Sequence, residues 1–276
     1  MNKSALRIFL AVILISSAPI FSQLGVTLKR VWIFSFYTII SGFISLSLFV
    51  IIKKKKIVFS KDFLIPILFY VLGITLFFYS FTFLSGVVIG FLGQTQIVFT
   101  LGLSYILLKE KVEIQKIIAA FLVIIGSFVF YFQESLNFNQ FGVLTITFSM
   151  LFFSINNYFT KKLREKHDEY SITFYKNLIC SIVLLILCVI FSKNELFTID
   201  ISVMFAFLQG FLSDFVGWTL FVSSLKHIEL NKAFIIYSFS SVITLLYSFI
   251  VFGANFILLQ LIGGILILIG NIFFNK

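Results

Sequence analysis

The sequence predicts an all-α membrane protein whose ten transmembrane helices form two inverted five-helix repeats. Three observations carry this reading. First, apolar runs of spanning length recur from end to end of a 276-residue chain that is 60% hydrophobic and 12% charged, with a mean hydropathy of +1.12, which no soluble globule sustains. Second, the basic residues collect in alternate connections, on one side of the membrane. Third, the stretch from Gly86 to Phe130 recurs 144 residues later. It comprises an apolar helix opening GVVIGFLG, a charged break LKEKVEIQK and a second apolar helix IIAAFLVIIGSFVFYF. Val98, Thr100 and Leu101 land on Val242, Thr244 and Leu245, Ala119-Ala120 on Gly263-Gly264, and Gly126 on Gly270. Small residues let membrane helices approach closely, so their spacing records packing. Five spans per copy is an odd number, so the second copy lies upside down relative to the first, with halves at 1–136 and 137–276. Inverted repeats of this kind are the architecture of secondary transporters.

Taken in order, span one runs from Arg7 to Thr27. Its basic start, Pro19 and the small residues Ser16-Ser17-Ala18 have some likeness to a cleaved signal peptide, but cleavage would leave nine spans and destroy the parity of the repeat. Span two is Val31 to Ile52, and the lysines at 53–56 behind it read as a stop-transfer flank. Span three, Phe63 to Phe83, carries Pro66 near its start, where a helix tolerates proline. Span four covers Gly86 to Leu108, with Gly86, Gly90 and Gly93 on one face suited to close packing. Span five is Ile114 to Phe132, and the polar QESLNFNQ after it links the halves. Span six, Phe141 to Thr160, ends in KKLREKHDE, read as a solvated cytoplasmic loop. Spans seven to ten follow as Ile172 to Ser192, Ser202 to Ser223, Lys232 to Phe252 and Phe256 to Phe274.

The chain holds 21 Lys and Arg against 11 Asp and Glu, a formal charge of +10. With the N-terminus in the cytoplasm, the outside segments hold only Lys29, Arg30 and Lys193, and one span holds Lys176. Every other basic residue falls on the cytoplasmic side. That is the positive-inside pattern, so the charge sets orientation and points to no nucleic-acid partner. The expected partners are a small-molecule substrate and the lipid bilayer, with the chain a monomer or homodimer, both termini cytoplasmic, in a bacterial cytoplasmic membrane. The two cysteines, Cys180 and Cys188, share one apolar segment and supply neither a disulfide framework nor a metal site. No P-loop, H-E-x-x-H or nucleophile elbow is present, and the only histidines are His167 in a loop and His227 at a helix end, so ATP-driven transport and metal hydrolysis lack their residues. No cofactor is expected.

In so much hydrocarbon the informative residues are the polar ones within spans, which are costly unless paired or facing a watery cavity. Asp214 lies roughly 18 Å along span eight from Ser202 at 1.5 Å per residue. Gly210, Asp214, Gly217 and Trp218 share a helical face there. Asp214 reads either as a hydrogen-bonded tie between helices or, by preference, as a substrate or proton site. Lys176 lies about 6 Å along span seven and can snorkel to the interface or meet Asp214. Phe36-Tyr37-Thr38 in span two echoes Phe174-Tyr175-Lys176, without the charge. The uncharged set is Gln23, Gln94, Gln96, Asn156, Asn157, Asn177 and Gln209. Each alone reads as helix-to-helix glue, and as a set they supply the few convergent polar groups an apolar pocket needs. On a continuous helix Gln94 and Gln96 stand about 200° apart and cannot share a face. Substrate-binding or proton-coupling candidates are therefore Asp214, Lys176, Trp218, Asn156, Asn157, Gln23, Gln94, Tyr37 and Tyr175, with no catalytic and no metal-binding residue.

The glycine-rich span four, the break with Lys109-Glu110-Lys111 after LSYILL, and Gln115 before IIAAFLVIIG resemble the signature end of the EamA domain of the drug/metabolite transporter superfamily. The resemblance covers nearly the whole chain as two domains. It implies ten helices in two inverted repeats, cytoplasmic termini and a central cavity lined by both halves. The family's glutamate falls on Glu110 in the first copy and on Ala254 in the second, and its usual proline is replaced by Gln96 or Ile97 and by Ser240 or Ser241. SDFVGWTLFVSSLKHIELNKAF, with VFGAN beyond it, is also similar to the choline-uptake branch, which implies cation recognition by aromatic faces such as Trp218. In span six Asn156 stands where that branch would call for an acid.

Together these readings give a secondary transporter that moves a small polar metabolite, amino-acid-like or amine-like, by alternating access. Asp214 acts as proton carrier or as counter-charge to a substrate ammonium. The alternative within the superfamily is a permease for choline or another quaternary amine. Outside it stand a membrane enzyme, for which Glu110, Glu113, Asp168 and Glu169 offer only scattered loop charges, and a non-transporting structural subunit.

Overall fold

The structure, a computed structural model, describes residues 3–26, 31–109, 114–134, 139–193, 198–253, 259, 262–266 and 269–270. Among them there is no strand, and eight helical segments are long and apolar enough to cross a membrane: Leu6–Gly25, Val31–Ile52, Lys61–Ser80, Val88–Leu107, Gln140–Leu163, Glu169–Ser192, Ile201–Ser224 and Lys232–Phe252. Span five is also helical, over Ile114–Glu134. Most of span ten, and the family-pattern positions Glu110 and Ala254, lie outside the described residues. Helix is the physical necessity here, because hydrocarbon offers the backbone no water to bond. Large apolar side chains such as Ile51, Ile52, Ile106, Phe191 and Ile250 cover the outside, while the inside combines packed apolar side chains such as Phe34, Phe78 and Phe221 with many small polar residues.

Those small residues bond in two ways. Ser16, Thr38 and Ser154 donate to carbonyls of their own helices, at Val12, Phe34 and Met150. Others reach across: Ser149 donates to Gly73 O at 2.7 Å, Ser41 to Phe207 O at 2.9 Å, Thr244 to Ser16 O at 2.9 Å and Ser22 to Gln209 Oε1 at 2.9 Å. Each such bond satisfies a buried polar group that would otherwise destabilise the fold.

Four spans expected as continuous helices are interrupted. Span one is α1 (Lys3–Ile15) and α2 (Ala18–Gly25), with Pro19 in the first turn of α2. Span two is α3 (Val31–Ile52) and span three α4 (Leu64–Ser80). Span four splits at a 3-10 turn, Gly93–Thr95, into α5 (Gly86–Leu92) and α6 (Gln96–Leu107). Then come α7 (Ile114–Glu134), α8 (Gln140–Leu163) and α9 (Glu169–Ser192). Span eight is α10 (Ile201–Gln209), a π-helical segment Gly210–Gly217, and α11 (Trp218–Ser224). Span nine splits at Ser238 into α12 (Leu230–Tyr237) and α13 (Phe239–Phe252). The breaks in spans four and nine stand 144 residues apart, Gln94 against Ser238, so they keep the register of the repeat.

The packing partners exchange between halves in a paired way. α4 of span three lies on α8 of span six, while the π segment and α11 of span eight lie on α1 of span one. α6 of span four lies on α8, and α12 of span nine lies on α1; α3 and α9 of spans two and seven lie on each other. Among the described glycines, the closest approach to the backbone of another helix falls at Gly210. A Cβ there would stand 2.1 Å from Thr38 O and 2.9 Å from Gly42 N, so α3 passes directly against the π segment. The glycine face of span four packs at two of its three positions, Gly86 against Pro19 O and Gln23, and Gly90 against Thr244; Gly93 meets only Met150 Sδ at 3.8 Å.

The charged stretch after span six differs from the solvated loop expected of it. Lys161 Nζ donates to Leu225 O and Ile228 O, and Arg164, 6% exposed, donates to Val222 O and His167 O and pairs with Glu169 at 2.8 Å. These cations cap the carbonyl end of α11, where a helix leaves acceptors unbonded and carries partial negative charge.

Candidate functional site

A cavity of about 120 Å³ lies between the two halves, at the interruptions just described. Ser16 and Pro19 reach it from span one, Gly93, Gln94 and Gln96 from span four, Gln209, Ser213 and Asp214 from span eight, and Tyr237, Ser240 and Thr244 from span nine. Unbroken helices complete the wall with Tyr70 and Phe77 of α4 and Met150, Phe153 and Asn157 of α8. The volume suits a small solute or several waters. Broken helices let a membrane protein expose backbone and polar groups only where a cavity receives them.

The π segment explains how an acid reaches this space. Each π turn takes in one extra residue and displaces the helix face locally, a feature found mostly at functional positions. Here it spans two glycines, Gly210 fitting against α3 and Gly217 against Ile15 of α1, and holds Ser213 and Asp214 between them. A Cβ on Gly42 would stand 3.0 Å from Asp214 Cβ and 3.2 Å from Asn177 Nδ2, so a larger residue there would push both away.

Asp214 accepts a hydrogen bond from the Tyr70 hydroxyl at 3.1 Å. Lys176 does not pair directly with it. The Lys176 ammonium, 2% exposed, makes no hydrogen bond to any described residue. It rests instead over the rings of Tyr70, 4.2 Å from the centroid, and Trp218, 4.5 Å from the centroid. Tyr70 thus holds the acid by its hydroxyl and the cation by its face. Tyr70 and Trp218 both line the main cavity, whereas Lys176 lines a separate void of about 10 Å³ with Pro66, Asn156, Thr160 and Trp218.

Of the other sequence candidates, Gln94 and Asn157 line the cavity; Gln94 Nε2 donates to Ser240 Oγ at 3.1 Å, and Asn157 Oδ1 has no partner among the described residues. Gln94 and Gln96 do share the cavity wall, against the expectation from a continuous helix, because the 3-10 turn between them resets the angle. Asn156 is set back, donating to Pro66 O at 2.8 Å. Gln23 is used at a helix junction, accepting from Gly86 N at 2.9 Å. Tyr37 meets Phe36 and Phe207, and Tyr175 meets Phe59, Phe63 and Phe174, so neither is among the cavity-lining residues. Tyr70 was not singled out from sequence. The signal for it is a second internal match, GITLFFYS at 73–80 against GWTLFVSS at 217–224, which places Tyr70 in register with Asp214. Among the described residues no cluster of three His, Cys, Asp or Glu is placed to hold a metal.

Comparison with known proteins agrees with this architecture. A crystal structure of another protein superposes with a TM-score of 0.80 at 14% identity, covering 98% of this chain and 97% of that one, which establishes a shared fold. An uncharacterized transporter of Archaeoglobus fulgidus is 29% identical over 175 residues, 63% of this chain; the match spans 61% of that protein's length. The profile of the EamA-like transporter family matches twice, over residues 2–132 and 140–276. A duplicated family domain on apolar helices of spanning length makes this an integral membrane protein, and the chain belongs to the EamA-like transporter family.

Proposed function

We propose that the protein is a secondary transporter that carries a small amine-bearing polar metabolite by alternating access between two inverted five-helix halves, 1–136 and 137–276. The tenth span falls in 256–274, and both termini face the cytoplasm of a bacterial cell. The observation that carries the proposal is the Asp214 carboxylate on the wall of the cavity between the halves, among the rings of Tyr70, Phe153, Trp218, Phe221, Phe234 and Tyr237. A carboxylate in such a setting is costly and calls for a cation. The paired exchange of packing partners between halves supports the inverted frame.

Asp214 binds the cargo ammonium, and the surrounding ring faces stabilise its charge without hydrogen bonds. Gln94, Gln96, Asn157 and Gln209 supply donors and acceptors for the polar remainder of the cargo. A quaternary amine is the second reading, favoured by the aromatic faces gathered at the wall beside Asp214. The test is thermal stabilisation of the purified protein over a panel of amines, amino acids, carboxylates and sugars. Amine-bearing solutes should stabilise the unmodified protein and fail to stabilise Asp214→Asn. Stabilisation by carboxylates or sugars alone, or equal stabilisation of the Asp214→Asn variant, would overturn the assignment.

A further inference from the structure

We infer that Lys176 is a built-in rival of the cargo: each organic cation bound at Asp214 expels one proton from the Lys176 ammonium, so the protein exchanges cation for proton. The inference rests on the cation reading above and adds the coupling ion and its carrier.

An ammonium ordinarily donates three hydrogen bonds. At Lys176 it donates none to a described residue and is held by the faces of Tyr70 and Trp218. The ionisable groups facing it are Asp214 from the π segment, Tyr70 from α4 and, on its own helix, Cys180. Asn156 and Thr160 of α8, across the small void, are uncharged, and among the described residues no charged group of α3 is turned toward it. The Lys176 charge therefore depends on two rings and one carboxylate. The cavity presents the same two rings and the same carboxylate to the cargo.

Two cations compete for one carboxylate and one ring pair when both lie among buried apolar side chains, since repulsion is weakly screened there. The lysine can surrender its charge by giving up a proton, and lysines in apolar surroundings do so readily. The exchange balances. Lys–NH3+ becomes Lys–NH2, its proton passes to water, and the cargo's positive charge takes the place of the one that left. When the cargo departs on the other side, Lys–NH2 takes a proton from that side. Net charge in the site is the same in both states, so one cation moves against one proton. The equivalent position in the first half is Thr38, whose hydroxyl is already bonded to Phe34 O, so only one copy carries the device.

The test uses tetramethylammonium in proteoliposomes, because a quaternary amine cannot follow a pH gradient as a neutral base. The unmodified protein should accumulate it when the interior is acidic and ignore an imposed membrane potential. Lys176→Met, similar in length without the proton, should lose accumulation driven by pH and instead follow an interior-negative potential. Lys176→Arg, which keeps its charge at any workable pH, should lose transport under both gradients. Retained pH-driven accumulation in Lys176→Met overturns the inference and leaves the cation reading standing. Loss of both drives in Lys176→Met also overturns it, since the lysine would then be a structural element. No transport of, and no stabilisation by, tetramethylammonium in the unmodified protein removes the quaternary-cation case and the inference with it.

Discussion

Spans three and eight are built on one frame, and they differ where the chemistry lies. From Gly73 and Gly217 onward their sequences run in register, GITLFFYS against GWTLFVSS. Span three keeps a regular helix, α4, and places Tyr70 and Ile74 on the cavity. Span eight widens into a π segment at the same place and presents Asp214 and Trp218. Tyr70 and Asp214, 144 residues apart, are mates in the repeat and are hydrogen-bonded to each other. Under the two-fold relation proposed above, a residue touches its own mate only near the axis relating the halves. On that proposal the acid lies near the axis, where span eight carries Asp214 against Tyr70 of span three.

The largest effect is expected at Gly210, the glycine that lets span eight approach α3. Gly210→Ala sets a Cβ against backbone atoms of α3 at Thr38 and Gly42, which cannot rotate away as a side chain would. Overpacking typically costs about 1–3 kcal/mol and occasionally more, and this variant should lie at or above the top of that range by thermal unfolding in detergent, with loss of the assembled site. A smaller effect is expected at Tyr70, the hydrogen-bond partner of Asp214. Tyr70→Phe keeps the ring beneath Lys176 and removes only the hydroxyl bonded to Asp214, a change expected to cost about 1–3 kcal/mol for an acceptor left short of a partner. The variant should remain inserted and less stable, and added amine should restore more stability to it than to the unmodified protein. The smallest effect should come from a glycine outside the frame. Gly102 has no neighbour within 4 Å of an added Cβ, so Gly102→Ala should leave transport intact and change stability by no more than about 1 kcal/mol, in the direction of a better helix former.

Much of this arrangement is legible in the letters, and the parts that are not share a cause. Spanning segments follow from hydropathy, because a lipid solvent imposes one rule on every residue. Asp214 and Trp218 are legible because an acid and an indole stand out in an apolar helix beside two glycines. Where helices break is harder to read. The turns at Gly93–Thr95 and Ser238 contain no proline, and their stability comes from contacts made elsewhere, such as Gln94 to Ser240 and Thr244 to Ser16. That is why Gln94 and Gln96 were separated by helical geometry yet meet in the cavity wall. Arg164 and Lys161 look like loop charges until α11 supplies carbonyls for them to cap. Tyr70 is hidden by abundance: one tyrosine among 10 Tyr and 40 Phe carries no signal until its register mate is known.

On the proposed function, the Asp214 carboxylate at the cavity between the halves holds the cargo. The most direct test of that role is cation exchange across proteoliposomes by the unmodified protein and Asp214→Asn side by side, with insertion checked by equal protein recovery and matched thermal unfolding. Exchange should be lost in Asp214→Asn and kept in Tyr70→Phe. Unchanged exchange in Asp214→Asn would contradict the account.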